Sequence, residues 1–154
     1  MTRRHRRHTW TTTKVAKLLD IWLDQQPPPR GEVLTGEAAF RLRRDPDTTV
    51  GVDVAYVSAE VAAKSPETAF LIDGAPVLAV EILSPKDRHE DIVAKVEEYL
   101  GTGVQGVWII DPDLKTVTVY RADIPPTLFN VSQELSGEPF LPGFRVKVAE
   151  LFKS

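Results

Sequence analysis

The stretch Ala79–Leu100, AVEILSPKDRHEDIVAKVEEYL, decides how the chain is read. It opens as an apolar strand, with Val80, Ile82 and Leu83 in a row, yet Glu81 stands in its middle. Ser84 and Pro85 then mark a helix start: serine caps, proline suits a first turn, and Asp87 sits three residues after the serine as in a capping box. That helix is expected to run to about Leu100 and to stop at GTG, Gly101–Gly103. A buried strand leading directly into a helix predicts an α/β arrangement with a sheet at its core.

Working outward supports that arrangement. TTTKVAKLLDIWLDQQ, residues 11–26, carries Val15, Leu18, Leu19, Trp22 and Leu23 at i, i+3, i+4, i+7 and i+8, the spacing of an amphipathic helix. PPPRG, Pro27–Gly31, ends it. Strands are expected over Val33–Leu42, bent near Gly36, and over Thr49–Ser58 and Ala75–Leu83. AEVAAKSPET, residues 59–68, reads as a helical turn followed by a loop. GVWII and TVTVY, joined by DPDLK, read as a hairpin-like pair of strands. Residues 123–139 look irregular, and LPGFRVKVAELF closes with alternating Phe144, Val146 and Val148. The order is α-β-β-β-α-β-β and then a final strand.

Composition narrows the possibilities. The chain has 154 residues, 42% of them hydrophobic and 27% charged, which fits one globular domain with a sizeable core. There is no cysteine, which excludes disulfides, zinc–thiolate sites and thiol nucleophiles. No apolar run is long enough for a membrane helix and none resembles a secretion signal, so a cytoplasmic protein with no membrane partner is expected. The net charge of −3 is unevenly spread: residues 1–8, MTRRHRRH, hold four arginines and no acid, leaving 15 basic against 22 acidic residues elsewhere. Residues 1–8 are expected to be a disordered basic tail able to touch phosphates, and 9–154 a single domain. His5 and His8, both in that tail, lack a metal-ligand spacing.

Candidate chemistry lies on the strands. By strict alternation Gly51, Asp53, Ala55 and Val57 share one face, opposite Val52, Val54 and Tyr56. Val77, Ala79, Glu81 and Leu83 share a face in the same way. Small neighbours leave space beside both acids. Paired in register, Asp53 and Glu81 would point into one hollow, where two carboxylates suit a hard cation such as Mg²⁺. On the following helix Asp91, Lys95 and Tyr99 are spaced i, i+4, i+8. An Asp91–Lys95 surface pair is one reading; a lysine leaning back over the hollow is the other. Asp111 reads as a turn former, Trp108 and Tyr120 as core or sheet-face residues, and His89 as an exposed helix residue.

With GVDVAYVS, then VLAVEILSPKDRHEDIVAKVEEYLGTGVQGVWIIDPDLKTVTVYR, then LPGFRVKVAELF, the chain resembles the Uma-type restriction endonucleases of the PD-(D/E)XK nuclease superfamily from about His8 onward. The resemblance implies a restriction-endonuclease-like fold, a mixed β-sheet flanked by helices. It implies Mg²⁺-dependent hydrolysis of DNA phosphodiester bonds, with Mn²⁺ able to substitute, and a homodimer. Asp53 matches the motif aspartate and Glu81 the motif glutamate, the pair that would bind metal. The superfamily lysine two residues after the glutamate is Leu83 here. The resemblance moves that role to Lys95, with Tyr99 supporting it and Lys86 a weaker substitute. Family members commonly have a proline before the motif aspartate, where this chain has Val52. They also commonly begin with a further β-hairpin, containing a glutamate, ahead of the first helix. A shortened, catalytically inactive member acting as a DNA-binding or protein-interaction module is therefore the alternative, as is an altered dimer covering the free sheet edge.

Overall fold

A computed structural model describes residues 6–153. Its elements are α1 (Arg6–Asp24), β1 (Glu32–Arg43), β2 (Thr48–Val57), α2 (Ala59–Ala62), β3 (Ile72–Asp73), β4 (Leu78–Ile82), α3 (His89–Gly101), β5 (Gly106–Asp111), β6 (Thr116–Arg121), β7 (Ile124–Phe129), β8 (Glu134–Ser136), β9 (Arg145–Lys147) and a 3₁₀ turn, η1 (Val148–Leu151). Seven strands form one mixed sheet in the order β3-β1-β2-β4-β5-β6-β7, and β8 and β9 form a separate ribbon.

The sheet has an apolar cluster on each face. On one, Val15, Leu19, Trp22 and Leu23 of α1 pack with Val54, Val80, Ile82 and Ile110, beneath Leu135, Phe144 and Leu151 of the C-terminal segment. The Trp22 indole donates to the Pro142 carbonyl at 2.8 Å and meets the Tyr56 ring edge-on at 5.2 Å. On the other, Val96 and Tyr99 of α3 pack with Ala55, Ala79, Val107 and Ile109. Ala55 and Ala79, the small neighbours of the two acids, thus share a cluster with the Tyr99 ring.

Two strand pairings place the site. β4 lies antiparallel to β2 (Val54↔Val80, Ala55↔Ala79) and parallel to β5 (Glu81↔Ile109). One further step along the β2–β4 register sets Asp53 opposite Glu81, where the two strands separate. β4 and β5 are joined through α3, so the site lies beyond the carboxyl ends of parallel strands, a common place for sites in α/β sheets.

The structure departs from the sequence expectations in four places. Arg6, Arg7 and His8 belong to α1 instead of to a tail, because His8 is buried at 4% exposure and extends the apolar stripe backwards from Val15; Met1–His5 lie outside the described residues. The bend expected near Gly36 is present, as a bulge between Thr35 and Ala38 with Gly36 and Glu37 both at positive φ. The accompanying twist breaks strict alternation in β2: Val52 joins the α3-side cluster while Val54 joins the α1 side. Ser84 and Asp87 close a turn of their own, with the Ser84 N–H donating to Asp87 Oδ2 at 2.8 Å, and α3 begins only at His89. Residues 123–139 contain β7 and β8, and β3 also joins the sheet alongside β1. Pro125 and Pro126 hid β7, but an edge strand tolerates residues without an N–H.

Candidate active site

Asp53 and Glu81 are both buried, at 7% and 6% exposure, and both line a hollow of about 50 Å³ whose rim includes Leu83, Asp91, Ile92 and Lys95. Each carboxylate has one oxygen engaged by protein donors. Asp53 Oδ2 accepts the Ile82 N–H at 3.0 Å and lies 3.2 Å from His8 Nε2. Glu81 Oε1 accepts the Tyr99 hydroxyl at 2.6 Å and pairs with Lys95 Nζ at 3.3 Å. The two acids also hydrogen-bond to each other, which helps hold Asp53 charged and Glu81 protonated.

The electrostatics of the two acids diverge. Burial raises the Asp53 pKa, but the His8 hydrogen bond, the Ile82 N–H and the His8 charge outweigh it and hold the group below the ordinary aspartate value. Burial, and after it the Asp53 charge, push Glu81 up to about 7, against the pull of Lys95 and the Tyr99 hydroxyl. Burial and the Glu81 charge drive the Tyr99 hydroxyl well above the usual tyrosine range, so it stays a donor. One acid is thus held charged while its neighbour resists a second charge. A cation between them would relieve that repulsion.

The donor set fits a hard divalent ion. It offers carboxylate oxygens alone, and Mg²⁺ binds through one or two carboxylates with water and substrate oxygens completing the shell. Among the described residues no group of three or more His, Cys, Asp or Glu side chains is arranged to hold a metal, which disfavours a fully protein-ligated site of the zinc type.

The four residues singled out from the sequence come together. Lys95 leans over the hollow and pairs with Glu81 instead of Asp91, its side chain 48% exposed at the mouth. Tyr99 is fully buried and bonds Glu81, not Lys95, which leaves it no access to a substrate phosphate. Lys86 is exposed and does not line the hollow. His89 is exposed; Asp111 accepts the Asp113 and Leu114 N–H groups as a turn former; Trp108 is core. Sequence reading missed His8. The available signal was its place on the buried stripe of α1 with Thr11, Val15 and Leu19.

A seven-stranded mixed sheet flanked by helices, with paired acids and a lysine where its central strands part, makes this an α/β domain with a candidate metal-binding hollow. The family model described as "Putative restriction endonuclease", Uma2, matches residues 1–149, and the chain belongs to that family. Among solved structures it is similar to a crystal structure of "a putative nuclease belonging to DUF820" from Anabaena variabilis ATCC 29413, with a TM-score of 0.80 and 19% identity over 97% of this chain and 82% of that one. No curated protein matches. Among the described residues no helix is long and apolar enough to cross a membrane.

Proposed function

We propose that the protein is a metal-dependent endonuclease that hydrolyses DNA phosphodiester bonds, with Asp53 and Glu81 as the metal ligands. The observation that carries this reading is the pair of buried, opposed carboxylates in one hollow, each with one oxygen held by protein donors. When bound, Mg²⁺ supplies polarisation of the phosphoryl oxygen and a more acidic water. The protein side chains prepare that chemistry. His8 and the Ile82 N–H fix the orientation of Asp53, and the Tyr99 hydroxyl fixes Glu81. Lys95, partly exposed at the mouth, is the group able to meet substrate. Its ammonium orients the attacking water and offsets the negative charge carried by the phosphoryl oxygens. In the net reaction water oxygen bonds to phosphorus and the ester P–O bond breaks. The leaving oxygen gains a proton, and the attacking water gives one up.

Thermal unfolding with and without Mn²⁺ or Mg²⁺ tests the metal site, and nicking of supercoiled plasmid tests the chemistry. Wild type should be stabilised, by about 2.7 kcal/mol at a hundredfold excess over Kd, while Glu81→Ala should not respond. Glu81→Ala and Lys95→Ala should both lose nicking while remaining folded. Full activity in both variants would overturn the assignment.

A further inference from the structure

A large open concavity of about 1230 Å³ runs along α1, and the acids' hollow does not account for it. Its walls carry six cationic side chains: Arg6, Arg7, Lys14 and Lys17 from α1, Lys115 from the β5–β6 turn, and Lys153 from the C-terminal segment. The one acid on the wall, Asp113, is paired with Arg7. This concentration stands out on a chain with net charge −3. It also absorbs two of the arginines that the sequence appeared to place in a tail.

Groove and site share two elements. In α1, His8 points inward to Asp53 while Arg7 and Thr9, its neighbours, line the groove. The β5–β6 turn that forms the other wall follows β5, which is paired with the Glu81 strand. The groove thus runs along the face of α1 turned away from His8, and ends at the turn that follows β5. Trp10, on the groove wall, has the Lys14 and Lys153 ammonium groups over its ring, 5.7 and 5.4 Å from the centroid. Those contacts compete with base stacking on that ring and hold two cations in the groove, so the chemistry it offers is phosphate recognition.

We infer that this groove holds the DNA backbone, binding phosphates independently of sequence. The inference rests on the nuclease reading for its choice of DNA, and its test is separate. Binding of the full-length protein to a short fluorescein-labelled duplex is followed by anisotropy in EDTA, so that cleavage plays no part. Wild type should bind with a steep salt dependence. Lys14→Glu with Lys17→Glu should weaken binding and flatten the slope of log K against log salt by about 1.8, at about 0.9 per lost phosphate contact. Lys115→Glu with Lys153→Glu, on the facing wall, should do the same, which guards against a local folding defect in α1. Arg30→Glu with Lys64→Glu, an equal change of charge outside the groove, should bind like wild type. Unaltered binding in both groove variants, an equal loss in the outside variant, or no wild-type binding at low salt overturns the groove. The Mn²⁺ response of the same proteins reports separately on the acids, so a failed groove and a failed metal site give different results.

Discussion

Glu81 holds its place among apolar side chains because two donors meet on one of its oxygens, yet that does not fully offset its burial beside Asp53. This has a measurable consequence in metal-free protein. The folded state binds the Glu81 proton more tightly than the unfolded chain does. The stability this gives is fully present below the ordinary value of 4.5 and is lost as pH rises through about 7. In EDTA, wild type should lose stability relative to Glu81→Gln over that window, by at most ~1.4 kcal/mol per pH unit. Parallel denaturation curves would show that the group is not buried as described. His8 acts on Asp53 from the other side. His8→Ala should raise the Mn²⁺ concentration needed for half-maximal thermal stabilisation roughly 10- to 100-fold, with partial rescue by His8→Gln; a loss of stability with no change in metal response would reduce His8 to a packing residue. At this scale Glu81 and Lys95 could be read from the sequence because alternation and helical spacing are local properties, while Asp53 was singled out despite the break in alternation between Val52 and Val54. His8 could not be paired with Asp53 without the docked helix, since 45 residues separate them.

Among the elements, α1 depends on what covers it. Its buried stripe continues from Trp22 back to His8, so one contact surface anchors the helix and delivers a side chain to the site. Trp22→Ala removes both the Pro142 hydrogen bond and the packing against Tyr56. It should cost about 3–5 kcal/mol in urea unfolding, and the surviving folded protein should also respond more weakly to Mn²⁺. A stability loss with an intact metal response would mean that the N-terminal turn of α1 is held independently. The helices and central strands were legible because their periodicity extends over several turns or residues. The start of α3 was misplaced because Ser84 and Asp87 satisfy the same local pattern in a free-standing turn. β7 was hidden because its prolines argue against a strand unless the sequence also reveals that the strand lies at an edge.

For the whole molecule, apolar clusters on both faces of the sheet hold the fold without help from an ion. EDTA should therefore leave the near- and far-UV circular dichroism unchanged while removing activity; loss of tertiary signal would make the metal structural. The sheet's two outer strands have a different consequence. β3 offers only Ile72 and Asp73, and Asp73 is engaged by Arg41 and Arg44. β7 carries Pro125 and Pro126. A strand from another chain arriving at the β7 side finds missing amide hydrogens, so that edge is guarded against sheet-to-sheet aggregation during refolding and at high concentration.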